Sequence, residues 1–159
     1  MTDIKELESL LSAKMPIVAV ESHEEQKVLL MLERFSTLNA RTLFVWSITR
    51  GLRRHPTCET TFNTQAIEEA LRHVESSPQN AIYLFLDAHS FFGEPVVIRT
   101  IKDIAQKAEY SHRMLVFLSA KLEVPDAIVR ITARFKPSLP DTAAIQKTVH
   151  QKAARYRET

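Results

Sequence analysis

The chain has 159 residues, enough for one domain burying about 70% of the surface its unfolded form exposes. Apolar residues make up 45% and charged residues 25%, and 21 Lys and Arg against 19 Asp and Glu leave +2, too little to argue for nucleic acid or an anionic membrane. Only two glycines are present, Gly51 and Gly93, where average usage gives roughly eleven; a Walker A loop, a dinucleotide fingerprint and a nucleophile elbow all need glycines close together, so their standard forms are excluded.

Residues 3–14 read as a short helix with Ile4, Leu7, Leu10 and Leu11 on one face. Pro16 breaks it. Ile17-Val18-Ala19-Val20 follows, apolar throughout, as a strand buried on both faces reads. Residues 23–38 carry a second helical pattern through Val28, Leu29, Met31, Leu32 and Phe35, with Ser22 as N-cap and Glu25 completing a capping box. Leu43 to Trp46 is the next strand. The stretch 49–63, with Gly51, Pro56 and several Thr, reads as a loop. Residues 64–76 are helical, and Pro78 ends them. Ala81 to Leu86 is the third strand, 95–109 a helix, and Met114 to Leu118 the fourth strand. Ile128 to Phe135 is the fifth strand. A closing helix over 141–156, capped by Asp141, completes the chain.

This alternation, with strands apolar on both faces, predicts a three-layer αβα domain around a mainly parallel five-stranded sheet. No repeat or linker is visible, so 1–159 reads as one domain. Cys58 is alone, which excludes an intrachain disulfide and a cysteine-rich zinc site. No apolar run approaches the roughly twenty residues of a membrane helix, and Met1 to Glu6 lack the features of a signal peptide. The reading is of a cytoplasmic protein without membrane contact.

Ligands of such sheets bind beyond the carboxyl ends of the strands. Leu84-Phe85-Leu86-Asp87 has the outline of a Walker B strand, whose carboxylate holds nucleotide-bound Mg²⁺. The neighbouring position, where active AAA enzymes usually carry a second carboxylate, is Ala88. Asp87 could equally cap the next segment. His89, two residues on, stands at the same edge and is the one histidine of six there. The first junction, Glu21-Ser22-His23-Glu24-Glu25, puts three carboxylates where phosphate needs backbone donors and a lysine. Ser22, His23 and Glu24 spell the letters of a hydrolase triad, but adjacent side chains diverge. Arg50-Gly51-Leu52-Arg53-Arg54-His55 is the only dense basic segment, either a grip for an acidic partner, a phosphate or nucleic acid, or a solvated loop. Phe91 and Phe92 either form an exposed wedge or cover the sheet end.

Four segments together resemble the N-terminal domain of a family of hypothetical plastid-encoded and bacterial AAA ATPases. They are Pro16 to Glu25, an apolar strand followed by "E-T/S-x-E-E"; Leu43 to Leu52, an aromatic strand followed by "W-S/T-x-T-x-G"; Ala81 to His89, an apolar strand ending Asp-x-His; and Leu115 to Pro125, ending "L-E-apolar-P". The resemblance implies a degenerate P-loop NTPase-like fold that keeps the sheet and lacks the phosphate loop, with strand order 5-1-4-3-2. In that family an AAA module carrying ATP and Mg follows this domain. The resemblance implies no cofactor or metal in this segment and no catalysis by it. It implies an accessory role in substrate or partner recognition or in ring assembly, with the AAA module, another protein or a second copy as partner. Arg50, Arg53 and Arg54, with Phe91 and Phe92, are the candidate contacts. The alternative is a standalone nucleotide-sensing or hydrolytic domain using Asp87 and His89. Nucleic-acid binding through the 50–55 segment ranks last.

Overall fold

The computed structural model describes residues 2–77, 80–111 and 113–138. The closing helix expected over 141–156, with its Asp141 cap, lies outside the described residues, as does Pro78. Along the chain run α1 (Thr2–Ser12), β1 (Ile17–Glu21), α2 (Glu25–Leu38), β2 (Thr42–Ser47), β3 (Gly51–His55), α3 (Ile67–Ser76), β4 (Ala81–Leu86), α4 (Pro95–Ser111), β5 (Met114–Ser119) and β6 (Thr132–Phe135). A single 3-10 turn follows β4 at Ala88–Phe91, and another precedes β6 at Val129–Ile131.

The strands form one sheet in the order β3-β2-β4-β5-β1-β6, parallel except for β3, which pairs antiparallel with β2. With β3 set aside, the remaining five strands follow the order that the resemblance implied. Alternate residues of each strand feed two separate cores, because successive side chains of a strand point to opposite faces. Ile17, Ala19, Trp46, Tyr83, Phe85, Leu115 and Phe117 meet α3 and α4. Val18, Val20, Val45, Ile82, Leu84, Val116 and Leu118 meet α1 and α2. Both faces are therefore covered, which is why these strands read as unbroken apolar runs.

Several expected boundaries shift for local reasons. The stretch expected to be a loop, 49–63, contains β3. Thr49 and Arg50 make a tight turn in which the Arg50 N–H donates to the Ser47 carbonyl at 3.3 Å, and Gly51 takes a positive φ of 73°. The strand escapes an apolar-run reading because Leu52 is its one large apolar residue and Arg53, Arg54 and His55 follow it, as suits a sheet edge. Residues 59–61 lie along its outer side, with the Arg54 N–H donating to the Glu59 carbonyl at 2.9 Å and the Thr61 N–H to the Leu52 carbonyl at 2.8 Å.

Ser22 is not the N-cap of α2. Its hydroxyl accepts the Glu24 N–H at 3.0 Å, two residues on, and the helix begins at Glu25 with Glu24 as N-cap. Helix α3 starts at Ile67 rather than 64, since Thr64 is committed elsewhere. Its hydroxyl accepts the Leu52 N–H at 2.8 Å and donates to the Thr61 carbonyl at 2.7 Å, and its carbonyl accepts the Trp46 indole N–H at 2.8 Å. The fifth expected strand is shorter than 128–135. Its first part is the 3-10 turn, where the Ile131 N–H and the Thr132 hydroxyl both donate to the Ile128 carbonyl.

Candidate functional site

Parallel pairing sets the carboxyl ends of β1, β5 and β4 side by side. The Ser22 N–H donates to the Ser119 carbonyl at 3.0 Å, and the Asp87 N–H to the Leu118 carbonyl at 2.9 Å. The junctions after β1 and β4 thus flank the end of β5 at the edge where ligands of open α/β sheets bind.

A phosphate at the β1–α2 junction would need free backbone N–H groups and a cation. The Glu24 N–H is already taken by Ser22. The nearest cation in sequence, Lys27, pairs with the Glu24 carboxylate at 3.1 Å, both groups largely exposed. Glu24 and Glu25 themselves stand at the positive end of the α2 dipole. These residues do not fit a nucleotide. Nor does a triad assemble here, since the Ser22 hydroxyl engages its own backbone and His23 is exposed.

Asp87 follows β4 in the left-handed region, φ 54°, which Asp tolerates better than most residues. It occupies the N-cap position of the 3-10 turn without a side-chain cap bond, and its carboxylate is exposed. His89 is exposed as well and lines a cleft of about 620 Å³. Across that cleft lie Lys121, Glu123, Val124, Pro125 and Asp126. The fold therefore brings the Asp-x-His segment against the L-E-apolar-P segment, 34 residues later in sequence from His89 to Glu123. Among the described residues no group of three His, Cys, Asp or Glu is placed to hold a metal ion.

The candidate arginines diverge. On β3, Arg54 lies opposite Phe44 on the α3/α4 side of the sheet, and Arg53 opposite Val45 on the α1/α2 side. Arg54 and the turn residue Arg50 are exposed, while Arg53 is half-buried with its Nε unpartnered. His55, on the same side as Arg53, meets Glu33 of α2 at 3.4 Å. Phe92 is buried and packs edge-on against Phe117 at 5.2 Å between ring centroids. Phe91, half-buried, packs edge-on against Trp46 at 6.2 Å.

The second sequence signature has a structural explanation. Trp46 is buried with its indole N–H held by Thr64, and a Cβ on Gly51 would come within 2.9 Å of the Thr64 hydroxyl. The tryptophan and the glycine of "W-S-x-T-x-G" thus fit one buried threonine, which sequence reading passed over.

Sequence reading also missed a groove of about 940 Å³ along α2. Leu30, Met31 and Leu38 line it, together with the start of α1 and residues Lys136 to Ser138. The signal was present. Val28 to Leu32 are five consecutive apolar residues, more than one helix face can hold.

A family model described as "SpoVK-like AAA ATPase, N-terminal domain" matches residues 3–137. The "Uncharacterized AAA domain-containing protein ycf46" of Pyropia yezoensis is 23% identical over 152 residues, covering 94% of this chain and 31% of the relative. Its namesake from Gracilaria tenuistipitata var. liui is 20% identical over 151 residues, covering 91% and 30%. The chain thus spans under a third of the length of these curated relatives. Among solved structures, "Structure of Drosophila ORC bound to DNA" contains a chain that superposes with a TM-score of 0.54 at 10% identity, covering 90% of this chain and 93% of that one. The likeness is one of fold.

Proposed function

This chain belongs to the family of SpoVK-like AAA ATPase N-terminal domains, and on that premise we propose that it is a non-catalytic accessory domain that recognises substrates or partners, or helps assemble a ring. The observation that carries the reading is the β1–α2 junction. There a P-loop-like strand order meets carboxylates and a self-satisfied turn in place of a phosphate loop. ATP and Mg belong, on this reading, to an AAA module elsewhere in a longer polypeptide, and the setting is the cytoplasm. Among the described residues no helix is long and apolar enough to cross a membrane.

Mg-ATP tests the first half of the proposal. A ligand at a hundred times its dissociation constant adds about 2.7 kcal/mol to a folded state that alone binds it. Millimolar Mg-ATP should leave the melting temperature of this chain unchanged, and a rise of several degrees would sink the non-catalytic reading. Contact through the β3 edge tests the second half. Arg50 and Arg54 are exposed, and replacing both with alanine should weaken capture of a protein partner by about tenfold or more, with little change in stability. Arg53 is better tested separately, because it is half-buried.

The cleft beside His89 favours a second reading, a small-ligand sensor or hydrolytic site using Asp87 and His89. It predicts a nucleotide-induced melting shift that Asp87→Asn or His89→Ala abolishes.

A further inference from the structure

The corner of the sheet beside β3 carries an aromatic ring that the core does not use. Phe62 is 94% exposed, and Ile48, in the turn between β2 and β3, is 59% exposed. Both stand on fastened backbone. The Thr61 N–H donates to the Leu52 carbonyl at 2.8 Å, and the Thr64 hydroxyl donates to the Thr61 carbonyl at 2.7 Å, so the turn bearing Phe62 is held on both sides. Asn63 completes that turn at a positive φ of 59°, a conformation that costs a residue with a side chain and that fold contacts must hold. The Gln65 side-chain amide donates to the Thr49 carbonyl at 3.4 Å, and Gly51 lies so close to Thr64 that a Cβ would not fit between them. The two turns are thus tied into one corner, and a ring held this way loses little freedom when a partner covers it.

The outer edge of the corner has backbone groups to spare. Residues 59–61 run antiparallel to β3, with Thr60 opposite Arg53. The bonds that join them are from the Arg54 N–H to the Glu59 carbonyl and from the Thr61 N–H to the Leu52 carbonyl. Thr60 and Arg53 are therefore a pair that exchanges no bond of its own, and Thr60 turns its N–H and carbonyl outward, away from β3. Thr60 is exposed. An outward N–H and carbonyl on one residue are what a further strand pairs with.

Charge narrows the choice of strand. Arg50 and Arg54 are exposed, and neither makes an ion pair among the described residues. One carboxylate, Glu59, stands opposite Arg54 without pairing with it. Two free guanidinium groups beside exposed apolar side chains suit a ligand that brings carboxylates and a bulky apolar residue together.

We propose that this corner binds an extended acidic peptide segment of a protein partner. The segment pairs its backbone with Thr60, sets a bulky apolar side chain against Phe62 and Ile48, and directs its carboxylates to Arg50 and Arg54. A single nucleic-acid strand matches less of the corner, because it offers no peptide N–H and carbonyl to Thr60 and finds no ring at Ile48 on which to stack a base. The inference rests on the accessory-domain reading for the existence of a partner and adds what that partner presents.

Fluorescence polarisation with the full 159-residue chain tests it. The probes are two pools of labelled short peptides, each with Leu, Ile, Phe or Trp at the centre. Asp, Glu, Ser and Thr surround the centre in one pool, and Lys, Arg, Ser and Thr in the other. A labelled short oligodeoxythymidine is the third probe. The acidic pool should bind at least about tenfold more tightly than the basic pool. Phe62→Ala should weaken that binding at least about fivefold and move the melting temperature by less than about 2 °C, since the ring is exposed. Thr60→Pro should weaken it similarly, because proline removes the outward N–H and is tolerated on a sheet edge. Should Thr60→Pro melt lower, Phe62→Ala alone decides.

Equal binding of the two pools, or no binding of either at millimolar peptide, would overturn the proposal. So would affinity for the acidic pool that Phe62→Ala leaves unchanged. Tighter binding of the oligonucleotide than of the acidic pool would overturn it in favour of nucleic acid. If alanine at Arg50 and Arg54 weakens capture of a protein partner while Phe62→Ala and Thr60→Pro do not, the accessory role stands and the peptide site falls.

Discussion

The two faces of the sheet are finished to different degrees. On one, α3 and α4 close over a core in which Trp46, Phe85, Phe92 and Phe117 pack ring against ring and Tyr83 stacks on Phe44. Helix α3 is apolar along one face only, through Ile67, Ala70, Leu71 and Val74, and all four are buried. On the other face the core is aliphatic apart from Phe35 and Phe135, and α2 carries apolar residues beyond those the sheet can take up. A helix with one apolar stripe needs one neighbour. A helix with two needs a second, and the described residues do not supply it for α2. The difference separates what the domain needs to fold from what it has left to offer.

Substitutions can test that contrast. The largest effect belongs to the aromatic face. Trp46→Ala or Phe85→Ala should cost about 3–5 kcal/mol in chemical denaturation, because each empties a fully buried ring site. A loss below about 1 kcal/mol would mean that this face is looser than its packing indicates. Gly51→Ala comes next. It forces a Cβ into a positive-φ position and against Thr64, so a loss of about 1–3 kcal/mol is expected by the same measurement. A neutral result would remove Thr64 as the reason for that glycine.

An alkaline titration reads the same core. Burial raises the Tyr83 phenol above its ordinary value of 10.0, outweighing the Ser77 side chain and the Arg113 charge, which pull it down. The folded protein therefore holds that proton after the unfolded chain has released it. The stability it contributes is complete below about pH 10 and declines above it, by at most about 1.4 kcal/mol per pH unit, until the folded pKa is passed. Tyr83→Phe should flatten that part of the pH profile, and an unchanged alkaline slope would count against the assignment. The smallest effect is expected on the other face. Judged by residues 2–138 alone, Leu30→Ala should change stability by less than about 0.5 kcal/mol. A loss of about 2 kcal/mol in the full chain would show Leu30 covered in solution, and the contrast between the faces would then describe an unfinished layer rather than a free one.

Most of the sheet was legible in the sequence. Strands covered on both faces must be apolar throughout, so β1, β2, β4 and β5 stood out as runs. Their neighbours could not be read that way, because pairing order leaves no local mark. The order came from the resemblance. Strand β3 escaped because an edge strand tolerates Arg53, Arg54 and His55, whose composition is that of a loop. Ser22 and Thr64 misled for a shared reason. Their hydroxyls can serve several backbone groups within reach, and sequence does not say which one wins. At the candidate site, the absence of a phosphate loop was legible from glycine count and charge, since those chemistries need particular residues at fixed spacing. The cleft joining His89 to Glu123 was not, because only folding brings the ends of β4 and β5 together.

The bond between Asp3 and Ser138 ties residues 135 positions apart in the chain. The two ends of the described chain therefore lie within hydrogen-bonding distance of each other, as at the neck of a purse. A unit closed in this way can be cut out of one polypeptide and spliced into an exposed loop of another with little strain on the host, or reopened at a surface turn after its old ends are joined by a few residues.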